Sequence, residues 1–124
     1  MTTGGRILLV EDDRFLRRAA EASLRQRGFA VTVADGAEAL VKVRSEIPDL
    51  ILLDLLMPKL TGIEVLRALR AEEATKKIRV LILSNSSREQ DLEAIKELGV
   101  TDYLVKANLS LQELGDRVAQ LLEE

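Results

Sequence analysis

Cysteine and histidine are both absent from this sequence of 124 residues. Without cysteine the chain has no disulfide framework, no cysteine-based metal site and no thiol nucleophile. Without histidine it has no histidine-based catalytic triad, no histidine–metal site and no imidazole to carry a phosphoryl group. These two absences exclude several of the commonest catalytic classes.

The sequence also has no long apolar run and no excess of basic charge. No run approaches the roughly 18 residues that span a bilayer, and the N-terminus has no signal-peptide pattern, so we expect a cytoplasmic protein with no membrane partner. Its 18 basic and 21 acidic residues give a net charge of −3, which argues against a nucleic-acid-binding surface. At this length, with 47% hydrophobic residues, we expect one folded domain over residues 1–124.

What the chain does have is a regular alternation of apolar strand patterns and amphipathic helix patterns. The predicted strands are Arg6–Val10, Phe29–Val33, Leu50–Asp54, Arg79–Ser84 and Asp102–Lys106. Predicted helix starts have an acid or hydroxyl followed three residues later by glutamate, at Asp35 and Glu38, Thr61 and Glu64, and Ser110 and Glu113. In the fourth helix, Leu92, Ile95 and Leu98 are predicted to face the core. Five strand–helix units predict an α/β fold, a single doubly wound parallel sheet with five helices on its two faces.

Polar side chains stand where the predicted strands end. The strand Leu50–Asp54 is apolar until its last residue, and burying an unpaired carboxylate such as that of Asp54 is costly. Ligands of open parallel sheets bind just beyond the carboxyl ends of the strands, where such groups converge. The converging set is Glu11 and Asp12 from the first strand, Asp54 from the third, Ser84 from the fourth and Lys106 from the fifth.

These groups suit the binding of a metal ion and a phosphate. Three carboxylates close together repel one another unless they share a cation, and Mg²⁺ prefers such oxygen ligands. The amine of Lys106 and the hydroxyl of Ser84 suit an arriving anion. Phosphoryl transfer depends mostly on positioning and charge neutralisation. A carboxylate can be the nucleophile in such a reaction, and Asp54 is the candidate.

The chain resembles the response-regulator receiver domains of two-component signalling over essentially its full length. The resemblance rests on Ile7–Asp13, on Leu53–Pro58 with Gly62, on Leu83–Ser84 and on Asp102–Lys106. It implies a flavodoxin-like sheet with the strand order 2-1-3-4-5.

The resemblance also implies a role for each site residue. Asp54 would accept a phosphoryl group from a histidine kinase or a phosphotransfer protein, and Lys106 would pair with Asp54 and then with the phosphate. Ser84 would bond a phosphate oxygen, and Tyr103 would rotate inward. A downstream protein would then recognise the changed face made by the fourth helix, the fifth strand and the fifth helix.

The same resemblance assigns a divalent cation to the acidic residues. Mg²⁺, or Mn²⁺, would be bound by Asp12, by Asp54 and by the backbone carbonyl of Leu56, with Glu11 acting through a water molecule. Asp13 is most simply a helix N-cap. Enzymatic activity would be limited to self-phosphorylation and autodephosphorylation.

One position departs from the family pattern. Receiver domains usually have proline after the lysine, often with a cis bond, and then an aromatic residue, whereas this chain has Ala107 and Asn108. A cis peptide bond costs about 2.5–4 kcal/mol before a residue other than proline. We therefore predict a trans Lys106–Ala107 bond and a rerouted loop.

Other functions remain open from the residues. A Mg²⁺-dependent phosphohydrolase with an aspartate nucleophile would need an acid two residues after Asp54, where this chain has Leu56. A nucleotide- or flavin-binding module would need a glycine-rich phosphate loop after the first strand. A degenerate receiver would bind partners without phosphorylation. Asp102 and Arg117 resemble the salt-bridged dimer face of transcription-factor receivers, and we expect a monomer or weak dimer. The chain would act alone or be excised from a longer protein.

Overall fold

Strands and α-helices alternate along the chain in a computed structural model, which describes residues 5–57, 60–85 and 88–123. The strands are β1 (Arg6–Val10), β2 (Ala30–Ala34), β3 (Leu50–Asp54), β4 (Arg79–Ser84) and β5 (Tyr103–Val105). The α-helices are α1 (Arg14–Gln26), α2 (Gly36–Glu46), α3 (Gly62–Ala71), α4 (Glu89–Glu97) and α5 (Leu111–Glu123). A short 3₁₀ turn, Lys106–Asn108, follows β5. None of the described helices is both long and apolar enough to cross a membrane.

The five strands form one parallel sheet in the order β2-β1-β3-β4-β5, which confirms the expected α/β fold. Val10 pairs with Leu53, and Asp54 pairs with Leu83 on the next strand. At the far side Ser84 pairs with Val105. In this register the carboxyl ends of β1, β3, β4 and β5 lie along the same edge of the sheet.

Two apolar layers hold the helices against the sheet. Alternate side chains of a strand point to opposite faces, so β1 and β3 contribute to both layers. One layer packs α2, α3 and α4 on the sheet through Ala39, Val43, Val65, Leu66, Leu69 and Ile95. The other packs α1 and α5 on the opposite face through Ala20, Leu24, Leu114, Val118 and Leu121. The sheet is therefore covered on both faces, as a parallel sheet requires.

The predicted helix starts are confirmed. Asp35 and Glu38 form a reciprocal capping box on α2, and Thr61 and Glu64 form another on α3. At α5 the main-chain N–H of Glu113 donates to Ser110 Oγ over 3.0 Å. These bonds satisfy N–H groups that have no partner within the first turn of a helix.

Three local predictions differ from the structure. The second strand is Ala30–Ala34, because the N–H of Phe29 bonds to Leu24 O and closes α1 while the Phe29 ring is buried. The fifth strand is shorter than predicted, since Lys106 opens the 3₁₀ turn. Leu92 is 38% exposed. Helix α4 buries Asp91 and, as predicted, Ile95. Leu92 lies about 100° from Asp91 and about 60° from Ile95 around the helix axis.

Candidate functional site

Three charged side chains from three strand ends meet at one edge of the sheet. Lys106 Nζ lies 2.7 Å from Glu11 Oε1 and 3.0 Å from Asp54 Oδ2. The Glu11 and Asp54 side chains are 2% and 6% exposed, and that of Lys106 is 15% exposed. The structure therefore brings together three of the residues that sequence analysis selected, and the ammonium group bridges the two acids.

Asp54 is held by its own loop as well as by Lys106. The N–H of Leu56 donates to Asp54 Oδ1 over 3.1 Å. Behind the loop, the N–H of Gly62 donates to Leu55 O over 2.9 Å, and a Cβ at Gly62 would collide with the main chain of Asp54 and Leu55. Only glycine lets α3 begin this close to the strand end. The family motif residue Pro58 lies outside the described residues.

Glu11 is also fixed by the chain that follows it. Its Oε2 accepts the N–H of Asp13 over 3.0 Å. The Asp13 side chain accepts the N–H groups of Phe15 and Leu16. Asp13 is therefore the N-cap of α1, as the sequence indicated. The direct ion pair from Glu11 to Lys106 was not predicted from the sequence, where Glu11 was assigned only a role through water.

The contact between Glu11 and Lys106 affects the pKa of each group. Burial raises the pKa of Glu11 above its ordinary value, and the contact with Lys106 only partly opposes that rise. For Lys106, burial is the largest single influence and lowers the pKa. The bonds and charges of Glu11 and Asp54 together outweigh burial, so the pKa of Lys106 lies above its ordinary value. Glu11 and Lys106 therefore each stabilise the charged form of the other.

Asp12 is half-buried beside this group, at the same end of β1. Among residues 5–57, 60–85 and 88–123, no three acidic side chains gather closely enough to form a ready metal site. The expected tight cluster of three carboxylates is thus replaced by two carboxylates joined through Lys106. The physical reason is that the ammonium group supplies the positive charge that two buried acids require.

The residues expected to respond to a change at the site lie on β4 and β5. Ser84 is fully buried at the end of β4. Tyr103 is half-buried, and its hydroxyl donates to Ser84 O over 3.4 Å. Burial raises the pKa of Tyr103. The side chain of Leu56, whose carbonyl was predicted as a metal ligand, is 57% exposed.

The peptide bond after Lys106 has the predicted geometry. The Lys106–Ala107 bond is trans, and the chain continues as a 3₁₀ turn. Within this turn the N–H of Ala107 donates to Asn85 Oδ1 over 2.7 Å. Sequence analysis missed Asn85, because nothing in the local sequence links residues 22 positions apart.

Comparison with known proteins identifies the family and the fold of the chain. The family model for the response regulator receiver domain matches residues 7–119. The chain belongs to this family. Receiver domains of two-component response regulators are phosphorylation switches that work with histidine kinases.

Curated relatives of this receiver domain include transcriptional regulators. It is 44% identical over 118 residues to the transcriptional activator protein PfeR of Pseudomonas aeruginosa, covering 94% of this chain and 37% of that protein. It is 44% identical over 121 residues to the transcriptional regulatory protein PrrA of Mycobacterium tuberculosis, covering 97% of this chain and 51% of that protein. The chain therefore spans about half or less of these relatives.

Solved structures share the receiver fold over more than nine tenths of their length. Vibrio cholerae chemotaxis protein CheY4 matches with a TM-score of 0.86 at 29% identity, over 94% of this chain and 98% of that one. The phosphorylated cyanobacterial phytochrome response regulator RcpA matches with a TM-score of 0.81 at 33% identity, over 97% and 92%. The Mn²⁺-bound form of response regulator Rcp1 matches with a TM-score of 0.78 at 33% identity, over 94% and 91%.

Proposed function

We propose that Asp54 is the phosphoacceptor of this receiver domain, and that the donor is a phosphohistidine on a histidine kinase or phosphotransfer protein. The observation that carries this proposal is the setting of Asp54. Its carboxylate is almost fully buried at a strand end, and it is bonded to the Lys106 amine and to the N–H of Leu56. A buried acid held by an ion pair is a typical arrangement at a functional site.

The chemical step is a transfer between nitrogen and oxygen. A carboxylate oxygen of Asp54 forms a bond to phosphorus, and the bond between phosphorus and the histidine nitrogen breaks with its electron pair on that nitrogen. The product is an acyl phosphate on Asp54. The attacking group is the carboxylate anion, and Lys106 Nζ lies 3.0 Å from its Oδ2. The same amine then faces the added negative charge.

We further propose that a divalent cation, Mg²⁺ or Mn²⁺, binds beside Asp54. Carboxylate and carbonyl oxygens are the ligands that such hard cations prefer, and Asp12, Asp54 and the Leu56 carbonyl offer them, with Glu11 contributing through water. Such a cation would neutralise the phosphoryl oxygens during transfer. The fit is supported by the half-buried Asp12 at the end of β1 and by Asp54 at the end of the neighbouring strand β3.

The output we propose is a change of the face made by α4, β5 and α5, recognised by a downstream protein. Ser84 would bond the new phosphate and Tyr103 would move, so one local charge event would bias a two-state surface. Tyr103 supports this path because its hydroxyl already contacts the main chain of Ser84. We also propose a cytoplasmic location and a monomer or weak dimer.

The hydrolase alternative has less support. Leu56 stands at the position where it would need an acid, and the leucine side chain is exposed rather than aimed at a leaving group. A degenerate receiver is also less well supported, because the acid and lysine positions are filled and Lys106 bridges Glu11 and Asp54.

The test is incubation with Mg²⁺ and acetyl phosphate, followed by intact mass. We expect one added phosphoryl group on the natural chain and none on Asp54→Asn, which keeps the size of the side chain. Circular dichroism of the variant controls for folding. Addition that persists in Asp54→Asn would place the nucleophile elsewhere, and no addition to the natural chain would favour the degenerate receiver.

The cation can be tested with a matched pair of neighbouring acids. Asp12→Ala should weaken Mg²⁺ binding at least tenfold, because it removes a proposed ligand. Asp13→Ala should change it little, because Asp13 caps α1. Calorimetric titration with Mg²⁺ measures both, and equal losses would contradict the assignment of Asp12.

A further inference from the structure

A hydrogen bond joins the segments that follow β4 and β5. Asn85 comes directly after the last residue of β4, and Ala107 lies in the 3₁₀ turn after β5. The Ala107 N–H donates to Asn85 Oδ1 over 2.7 Å. Beyond the last strand pair, Ser84 with Val105, this bond continues the contact between the two segments.

The turn needs such a partner at this position. The first N–H groups of any helical turn have no acceptor within it, and Val105, the residue before the turn, provides no side-chain cap. Asn85 therefore caps the turn from another segment of the chain. The donor exists because residue 107 is not proline, which has no main-chain N–H.

The capped turn carries the amine of the site. Lys106 immediately precedes Ala107, and its Nζ must reach Glu11 and Asp54 at the same time. A lysine side chain has a flexible four-carbon stem, so its placement depends on where the main chain starts it. Any shift of the turn moves that starting point.

We propose that Asn85 is a positioning residue: by capping the turn at Ala107 it holds Lys106 where the amine can bridge Glu11 and Asp54. Asn85 does not touch the reacting atoms and acts through Lys106. Its effect on phosphorylation rests on the proposed function of Asp54. Its effect on the turn and on the amine does not.

The structural half of the test uses the unphosphorylated protein. In Asn85→Ala, the Ala107 amide should exchange with solvent at least several-fold faster, and the ¹⁵Nζ resonance of Lys106 should shift. Asn85→Asp keeps a side-chain oxygen as acceptor and should keep the amide protected. Asn108→Ala is the matched control, because it removes an exposed amide side chain from the same turn. An Ala107 amide or a Lys106 resonance that is unchanged in Asn85→Ala would overturn the proposal.

The functional half measures the rate at which acetyl phosphate modifies Asp54. We expect Asn85→Ala to lower this rate about 2- to 12-fold, the range set by the loss of one ordinary hydrogen bond, and Asn108→Ala to leave it unchanged. Thermal unfolding confirms that both variants are folded. Equal rates in Asn85→Ala and the natural chain would overturn the proposal. If the natural chain takes no phosphoryl group, the proposed function fails, while the exchange and resonance data still decide the role of Asn85.

Discussion

The two strands that carry the main groups of the site are built very differently. Every residue of β3 is buried, from Leu50 to Asp54. No residue of β5 is fully buried: Tyr103 and Leu104 are half-buried and Val105 is exposed. The acids thus belong to the centre of the sheet, and the amine of Lys106 follows its edge.

The neighbouring helix makes the contrast stronger. Helix α4 has Arg88 at its N-cap with no side-chain capping bond, and it buries only Asp91 and Ile95. Helix α3, which begins behind Asp54, has a complete capping box and four buried residues. Regions with few buried contacts open locally at a lower free energy than the core does. We therefore expect the half with β3 and α3 to resist local opening, and the half with β5 and α4 to open at a lower free energy.

The largest difference between the two halves should appear on core truncation. Leu53→Ala removes a fully buried side chain from β3 and should lower the free energy of unfolding by about 4 kcal/mol. Leu104→Ala on β5 should cost about 1 kcal/mol, because that side chain is only partly buried. Urea unfolding of both variants measures the contrast. Equal losses would mean that β5 is packed as firmly as β3.

Glycine substitutions sharpen the same comparison at the loops. Gly62→Ala puts a methyl group against the main chain of Asp54 and Leu55 and should cost about 3 kcal/mol. Gly99, between α4 and β5, has a φ of +80° but open space around its Cα. Gly99→Ala should cost only about 1 kcal/mol, the strain of a left-handed residue. Thermal unfolding compares them, and the opposite order would contradict the expected difference between the two halves.

Removing the Lys106 amine, which bridges Glu11 and Asp54, should have the next largest effect on the free energy of unfolding. Lys106→Met leaves the carboxylates of Glu11 and Asp54 facing each other without a cation, which should cost about 3 kcal/mol at pH 7. The control is Lys77→Met, at an exposed lysine before β4, which should cost almost nothing. Urea unfolding at fixed pH measures both variants. An equal loss in Lys77→Met would contradict a specific stabilising role for the Lys106 amine.

The pH dependence of that loss follows from the raised pKa of Lys106. A base with a raised pKa in the folded state stabilises the fold fully below its unfolded value of 10.5. This contribution is lost as the pH rises through the higher folded value. The difference in unfolding free energy between the natural chain and Lys106→Met should therefore narrow above about pH 10.5. In acid, Glu11 becomes protonated and no longer pairs with Lys106, and its folded pKa is also raised. The difference in unfolding free energy between the two proteins should therefore narrow at low pH as well.

The smallest effects should not distinguish the halves at all. Asp35 caps α2 and Ser110 caps α5 with similar bonds of 2.8 and 3.0 Å to main-chain N–H groups. Asp35→Ala and Ser110→Ala should each cost about 1 kcal/mol. Unfolding measurements that give the same loss for both would show that burial, rather than capping, separates the halves. Markedly unequal losses would contradict that conclusion.

Most of the fold was predictable because its signals are local. The bounds of β1, β3 and β4 follow from apolar runs, and three helix starts follow from paired residues three positions apart. The errors have two causes, a bond at a helix end and the packing of a helix on the sheet. Phe29 follows α1 and does not start β2, because its N–H bonds back to Leu24 O. Leu92 is exposed because another face of α4 packs on the sheet.

The candidate site divides in the same way. Asp54 and Lys106 were predictable, because each ends a strand pattern and parallel strands end together. The pairing of Glu11 with Lys106 and the bond from Asn85 to Ala107 were not. A cation flanked by two acids can approach either one, and only the positions of all three main chains decide which contacts form.

The sequence by itself determined the order of strands and helices, the capping residues and the polar groups at the strand ends. Hydrogen bonding and apolar periodicity act over a few residues, so the chain carries that information locally. Tertiary structure alone decided how the charges at the sheet edge are shared and which loop fixes the lysine. Those outcomes depend on distances between segments far apart in the chain, which are set only when the whole sheet has formed.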